Sequence, residues 1–297
     1  MKVYNFGSVN IDHVYRVPHL VAPGETLSSQ SLETVLGGKG ANQSVALARA
    51  GIDVVHIGQL GKTDRWARDS LSEAGVDVSQ VNLLDGSSGH AIIQVDDAGE
   101  NSIILHGGAN QQFTRDQLAS ILGQAEEGDW LLMQNECNLI SSAFEIALDR
   151  GLHIALNPAP MTSDVMSLPL SRCAVLIINE IEASAMAGND DPVTALNELS
   201  ARYPETRLVL TLGSRGAMLL HANEQISQGV MKVNAVDTTG AGDTFVGYYL
   251  ASLIGGLDDE SALQRACAAA ALSVTREGAT PSIPMAAQVD EILLTAQ

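Results

Sequence analysis

Ala235-Val236-Asp237-Thr238-Thr239-Gly240-Ala241-Gly242-Asp243-Thr244-Phe245 sets two carboxylates on either side of a Gly-Ala-Gly turn that opens onto an apolar run. Phe245, Tyr248, Tyr249, Ser252 and Leu253 recur at threes and fours, so the spacing predicts a helix over 244–253 with Gly240 to Asp243 at its N-terminus. The first N–H groups of a helix lack partners and carry a partial positive charge, which suits an anion. Gly240 and Gly242 let the backbone come close to that anion, because no Cβ intervenes. Asp243 then stands where a hydroxyl would meet a phosphate. The same residues also read as an ordinary turn with Asp243 as a helix cap, and the rest of the chain decides between the two.

On both sides of this turn the periodicity alternates between helix and strand. Strands are predicted at 130–133, 154–156, 175–178, 208–212 and 217–220, and helices at 117–122, 142–149, 194–201, 244–253, 260–275 and 286–294. Apolar, β-branched strands between amphipathic helices imply an α/β fold with a Rossmann-like, mostly parallel central sheet covered on both faces. Ligands of such sheets sit beyond the carboxyl ends of the strands. Glu136, Asn157, Asn179 with Glu182, and Thr211-Leu212-Gly213-Ser214-Arg215-Gly216 all fall at those ends. Singly each reads as a loop or cap residue; together they outline one edge of a site.

Toward the N-terminus a strand is predicted over 3–11, ending in Asn10-Ile11-Asp12, where polar residues two apart share a face. Strand-end turn chemistry is the alternative for that pair. Residues 14–31 carry turns at Pro18 and Pro23-Gly24 and read as strands outside the main sheet. Leu36-Gly37-Gly38-Lys39-Gly40-Ala41-Asn42-Gln43 precedes a helix over 44–50 that Gly51 closes. Three glycines around a lysine suit a polar ligand, but the stretch lacks the first glycine of a P-loop. Gly58-Gln59-Leu60-Gly61-Lys62-Thr63 ends like that motif, with His56 where its first glycine belongs, and is read as joining a strand at 54–57 to a helix at 64–74. A hairpin at 90–95 and 102–106 turns at Asp96-Asp97-Ala98-Gly99-Glu100-Asn101. Paired with the 14–31 strands it would make a small β lid of about 13–35 and 90–106, which matters because phosphoryl transfer must exclude water.

The 297 residues, 45% of them hydrophobic and 27 of them glycine, fit a well-cored globular protein with many tight turns. That length is read as one α/β unit, 1–297, with the lid inserted in it. Met1 leads directly into strand-like alternation without a leader or a run long enough to span a bilayer, so a cytoplasmic protein with no membrane partner is expected. Cys137, Cys173 and Cys267 lie far apart, which supports neither a disulfide framework nor zinc. A net charge of −19 excludes a nucleic-acid surface. It also leaves any anionic substrate to local donors, and raises the hypothesis that the chain is adapted to high salt.

With these segments placed, the sequence resembles the ribokinase branch of the PfkB carbohydrate kinase family. The resemblance runs over nearly the whole chain, through Gly7-Ser8-Val9-Asn10-Ile11-Asp12, Gly37 to Gln43, Asn157-Pro158-Ala159-Pro160, Asn179-Glu180-Ile181-Glu182, Thr211 to Gly216, Asp237 to Phe245 and Arg276-Glu277-Gly278-Ala279-Thr280-Pro281-Ser282. It implies ATP-dependent phosphorylation of a sugar's primary hydroxyl, most simply the 5-hydroxyl of ribose, and a homodimer through the β lid. Asp243 would be the general base, and the Gly240, Ala241 and Gly242 amides would stabilise the transferring phosphoryl group. Asn10, Asp12, Gly38, Lys39, Asn42 and Glu136 match sugar-binding positions. Asn179, Thr211, Gly213, Ser214, Arg215, Gly216 and Cys267 match nucleotide-binding ones, with Arg215 offsetting phosphate charge. Glu182 would support Mg2+ through water. Asp237, Thr239, Ser273, Arg276, Gly278 and Ser282 resemble the ligands of an activating monovalent cation, K+.

Two residues depart from the family pattern, His90 in the lid and Asn135 before Glu136; either could reshape the sugar pocket, or His90 could be an exposed lid residue. The alternatives are a kinase for another pentose, a ketohexose or a nucleoside, and a sugar-binding sensor without turnover. Against the sensor, a pure binder has no need of Asp243 and the anion turn together. A nicotinamide dehydrogenase is disfavoured because no Gly-x-Gly-x-x-Gly follows the first strand.

Overall fold

The computed structural model describes residues 1–295. Its strands are β1 (Val3–Phe6), β2 (Asn10–Arg16), β3 (Ser31–Gly37), β4 (Val54–Gly61), β5 (Val81–Leu84), β6 (Gly89–Val95), β7 (Asn101–His106), β8 (Trp130–Gln134), β9 (His153–Asn157), β10 (Val175–Asn179), β11 (Arg207–Thr211), β12 (Ala217–His221) and β13 (Glu224–Gln228). The helices are α1 (Lys39–Arg49), α2 (Arg65–Glu73), α3 (Arg115–Leu122), α4 (Ile140–Asp149), α5 (Glu180–Ala187), α6 (Pro192–Arg202), α7 (Ala241–Ile254), α8 (Asp259–Ser273) and α9 (Ala286–Thr295).

Nine strands form the central sheet in the order β13-β12-β11-β10-β9-β8-β1-β4-β5. All pairs from β5 to β11 are parallel, while β11-β12 and β12-β13 are antiparallel. Its apolar strands bury both faces, as parallel sheets require. One face packs on α1, α2, α7, α8 and α9 through Val45, Leu71, Tyr248, Leu263 and Val289; the other packs on α3 to α6 through Leu118, Phe144, Met186 and Leu196. Helix α7 is buried from Thr244 through Ser252, and a Cβ at Gly247 would lie only 2.3 Å from the Ala46 Cβ of α1. That absence of a side chain lets α1 and α7 touch directly.

A separate four-stranded sheet has the order β3-β2-β6-β7. Here the expected strand over 3–11 is corrected. The chain leaves the central sheet after Phe6, turns at Gly7-Ser8-Val9, and enters the small sheet as β2, so Asn10 and Asp12 belong to that sheet. The helix expected from 44 begins at Lys39, because Gly38 (φ 94°) makes the entry turn and Gly40 allows the helix start to cross β1. A Cβ on Gly40 would stand 2.5 Å from the Gly7 backbone.

Strands β5 and β13 and helix α5 were not expected from the sequence. β5 is a four-residue edge strand, β13 is a polar edge, and α5 is short and follows β10 without a loop. Each lies at an edge or in a tight connection where periodicity has little room to show. Among the described residues no helix is long and apolar enough to cross a membrane.

Candidate active site

Strand order reverses at β1, which lies between β8 and β4, and the crevice at such a reversal is where open α/β sheets place ligands. The N-terminus of α7 faces the carboxyl ends of β9, β10 and β11, where Asn157, Asn179 and Thr211 line one cavity with Gly240 and Gly242. Gly240 caps the helix at φ 73°, with its missing Cβ 3.0 Å from that of Ala279. A Cβ on Gly242 would meet nothing within 4 Å, so the turn leaves an open space lined by backbone N–H groups.

Asp243 follows in the first turn of α7. Its Oδ2 accepts from Asn42 Nδ2 at 3.0 Å and its Oδ1 from Gln43 Nε2 at 2.9 Å, both donors lying on α1. Burial pushes its pKa up to about 6, against the pull of Lys39, Asn42 and Gln43 and with a further push from Glu136. A carboxylate so placed takes up a proton more readily than one in water, while remaining mostly ionised at neutral pH.

Beside it lies a cavity of about 190 Å³ whose wall includes Lys39, Asn157, Asn179, Glu182, Gly242 and Asp243. Lys39 Nζ pairs with Glu136 Oε1 at 3.2 Å. Burial would lower the pKa of this lysine, but Glu136, Asp243 and Glu182 together hold it above the ordinary value. Glu136 also accepts from the Ser8 hydroxyl and, at 3.3 Å, from the Lys39 N–H. Asp12 is raised to about 6 by burial and by the charge of Glu136. Asn10 Oδ1 accepts from Asn110 Nδ2 at 2.8 Å. Lys39, Glu136 and Asp12 thus form one charged cluster, while Asn42 reaches Asp243 and Asn10 is held by Asn110.

Asn179 caps α5, where its side chain and that of Glu182 exchange hydrogen bonds with each other's backbone N–H in a capping box. Burial raises the Glu182 carboxyl, opposed by the Asn179 N–H and by Lys39. A larger cavity of about 880 Å³ continues outward, bordered by Thr211, Gly213, Ser214 and Gly216 on one side and by Phe245, Cys267 and Val274 on the other. Gly216 (φ 96°) makes the turn into β12. Arg215 is exposed and pairs with Glu180, which itself borders this larger cavity.

Asp237 and the 276–282 loop are joined. Asp237 Oδ1 accepts from Thr239 N–H at 2.9 Å and from its hydroxyl at 2.6 Å, while Oδ2 accepts from Gly278 N–H at 2.9 Å. Burial pushes this carboxyl up, and those hydrogen bonds outweigh it, leaving the pKa below its ordinary value. Ser273 and Ser282 are buried and donate to the Ala270 and Ala279 carbonyls, respectively. Arg276 donates its backbone N–H to Ser273 O.

The two departures from the family pattern point elsewhere. His90 pairs in register with Ile11 and so lies on the face of β6 opposite to Ala91, the partner of Asp12. Its ring sits 4.9 Å from that of His106 and 6.2 Å from that of His13. Asn135 Nδ2 donates to Pro160 O at 2.7 Å and to Thr162 Oγ1 at 3.0 Å, pinning the loop after β9. Sequence reasoning missed Ser8, Gln43, Asn110 and Thr280, each of which holds a site side chain. Gln43 stands next to Asn42, and Thr280 lies between Gly278 and Ser282, so adjacency was the signal available for both.

The model of the pfkB family of carbohydrate kinases matches residues 2–286. A ribokinase of Haemophilus influenzae is 36% identical over 299 residues, covering 97% of this chain and 96% of its own. The crystal structure of ribokinase from Cryptococcus neoformans var. grubii in complex with ADP superposes with a TM-score of 0.85 at 32% identity, covering 98% of this chain and 99% of its own. That of Arabidopsis thaliana ribokinase complexed with ribose and ATP gives 0.86 at 28% identity and 98% of each chain. With a family match of that extent laid over a carboxylate at a helix start, a glycine turn and two adjoining cavities, the chain belongs to the pfkB family of carbohydrate kinases.

Proposed function

We propose that this protein is an ATP-dependent ribokinase that phosphorylates the 5-hydroxyl of ribose, with Asp243 as its general base. The observation that carries this reading is the Asp243 carboxylate held by Asn42 and Gln43 at the N-terminus of α7, beside a cavity that reaches Gly242. Asn10, Asp12, Asn42 and Glu136 bind and orient the sugar, Ser8 and Asn110 fix their acceptors, and the primary hydroxyl is presented to Asp243. Asp243 takes the hydroxyl proton as the oxygen attacks the phosphorus of the γ-phosphoryl group of ATP, and the bond from that phosphorus to the β,γ-bridging oxygen breaks to release ADP. The Gly240, Ala241 and Gly242 N–H groups stabilise the charge on that group as it transfers, and Lys39 adds a fixed positive charge. The open space at Gly242 is what such an anion needs, and a methyl group there would fill it. The larger cavity, with its apolar wall of Phe245, Cys267 and Val274, takes the adenosine part of ATP, and Thr211, Gly213, Ser214 and Gly216 border the phosphates.

Asn179 and Glu182 line the phosphate cavity and would support Mg2+ through water, the ion neutralising triphosphate charge when bound. For K+ the support is the ionised Asp237, tied by Thr239 and Gly278 to the loop of Arg276 and Ser282, with the carbonyl of Ser273 close by. We take residues 1–297 as one unit, in which the four-stranded sheet closes over the sugar and pairs with a second copy. β7 supports that pairing, since Ile103, Ile104 and Leu105 are 56%, 64% and 49% exposed. A cytoplasmic location agrees with ATP as the phosphoryl donor.

The test is ADP release with magnesium and ATP across ribose, deoxyribose, other pentoses, fructose and nucleosides, each with and without potassium. A rate confined to ribose and raised by potassium is expected. A higher rate on another sugar or a nucleoside would replace ribose as the substrate, equal rates in sodium, potassium and cation-depleted buffer would remove the monovalent site, and sugar binding without turnover would make the protein a sensor.

A further inference from the structure

Behind Asp243 a second layer of hydrogen bonds governs which way round its donors point. Asn42, 5% exposed, gives its Nδ2 to Asp243 Oδ2 at 3.0 Å, while its Oδ1 lies 2.7 Å from the hydroxyl of Thr280. That hydroxyl also lies 3.2 Å from the Leu36 carbonyl oxygen. A side-chain amide has nearly the same shape either way round, so its partners alone fix its orientation. One hydroxyl proton can serve Asn42 Oδ1 or Leu36 O, but not both at full strength.

Each choice matches one protonation state of Asp243. With the Thr280 proton on Asn42 Oδ1, the amide turns its N–H to Asp243, which suits an ionised carboxylate that only accepts. With the proton on Leu36 O, the Thr280 oxygen becomes an acceptor for the inverted amide. The Asn42 carbonyl then faces Asp243 and suits a carboxylic acid that donates. In both arrangements Asp243, Asn42 and Thr280 stay paired with one another, and only the Leu36 carbonyl gains or loses the Thr280 proton, so the amide can invert without leaving a side chain of the relay unpaired.

We propose that Thr280 is a positioning residue for Asp243: its hydroxyl sets the orientation of the Asn42 amide and, by exchanging acceptors, lets that amide follow the base between its ionised and protonated forms during turnover. The inference rests on Asp243 being the base. In the proposed reaction the proton moves from the sugar hydroxyl to Asp243 and no further; the relay reorients hydrogen bonds without carrying the proton away. Thr280 also roots this relay in the same 276–282 loop that Gly278 ties to Asp237. The other charged groups around Asp243, namely Lys39 on α1 and Glu136 after β8, whose charges act on it, and Glu182 on α5, which lines the same cavity, make no hydrogen bond to Thr280 among the described residues.

Thr280→Val keeps the branched shape and removes the hydroxyl, Thr280→Ser keeps the hydroxyl, and Asp243→Asn tests the base itself. kcat and KM for sugar and ATP are measured from pH 5 to 9, with urea unfolding of each variant. Thr280→Val is expected to lower kcat about tenfold at neutral pH with KM for ATP unchanged. It should also move the acid limb of kcat/KM up by about one pH unit, because a donor to the charged form is no longer held in place. Thr280→Ser should restore both values. A fall in kcat with an unmoved acid limb, or one that serine fails to restore, would mean a structural role only and overturn the proposal. If valine at 280 prevents folding, Thr280→Ala replaces it in the same assay. An inactive Asp243→Asn beside a Thr280→Val with wild-type kcat and pH profile would sink the Thr280 inference alone; an active Asp243→Asn would sink the base assignment with it.

Discussion

Asp243→Asn exchanges the half-buried carboxylate for a neutral side chain of the same shape, and its effect on stability separates from its effect on turnover. The Asp243 pKa rises from 3.8 in the unfolded chain to about 6 in the folded one, chiefly through burial. On raising the pH the unfolded chain therefore loses this proton first. Stability from this group is fullest below the unfolded pKa, falls through the interval up to about pH 6, and is flat above it. That rise from 3.8 to about 6 corresponds to about 3 kcal/mol, of which roughly half is lost between pH 5 and 8. Water reaching the half-buried carboxyl screens part of this, so a loss of about 1 kcal/mol over that range is the working figure. Asparagine lacks the titration, and any donor clash it makes with Asn42 is the same at both pH values. Urea unfolding at pH 5 and pH 8 should thus show the variant gaining on the wild type by about 1 kcal/mol as the pH rises. Asp12, also held at about 6, is common to both proteins and largely cancels. Turnover should fall by about 10² to 10⁴ while sugar binding persists. A stability gap that is flat or shrinks with pH would refute the burial cost assigned to Asp243, and near wild-type turnover would remove it as the base.

Gly242→Ala should fold with an unchanged urea midpoint, since its Cβ meets nothing within 4 Å, yet lose turnover at least tenfold by entering the space assigned to phosphate; retained kcat and ATP KM would move the anion elsewhere. Glu182→Gln preserves the capping box with Asn179, so melting should barely change while the magnesium needed for half-maximal rate rises several-fold, and an unchanged magnesium titration would argue against its role. Replacing Ile103 and Ile104 together with glutamate puts charge on both faces of β7 and should halve the mass seen by light scattering; an unaltered mass would exclude the small sheet as the dimer contact. With a net charge of −19, urea midpoints should climb as sodium chloride is raised from about 0.1 to about 1 M, and a flat or falling series would end the salt-adaptation hypothesis.

The strands of the central sheet were legible because burial on both faces leaves apolar runs such as Val175–Asn179 and Arg207–Thr211 between amphipathic helices. Edges were not: Glu224–Gln228 is polar and mostly solvent-facing, so only its pairing with β12 makes it a strand. The passage from β1 to β2 looked continuous in sequence because Val9 is buried like its neighbours, although the chain changes sheets there. Asp243, Gly242 and Asp237 stood out through the special chemistry of glycine and carboxylate at a helix start. Gln43 and Thr280 did not, since an amide and a hydroxyl become significant only through contacts made across 200 and 238 residues, respectively. Arg215 shows the converse, a conspicuous cation whose partner, Glu180, is visible only in three dimensions.

The place of β1 in the middle of the sheet bears on how the protein is made. Its neighbours are β4 and β8, so this strand, once it has left the ribosome, is completed on one side by residues that include Trp130 and Met133. At about 5–20 residues per second, that second neighbour arrives on the order of ten seconds later. Until then Val3–Phe6, destined to be fully covered, keeps an unpaired edge. Synthesis therefore carries the unpaired edge of β1 through all the residues between β1 and β8, and that edge is a hold a chaperone could take meanwhile.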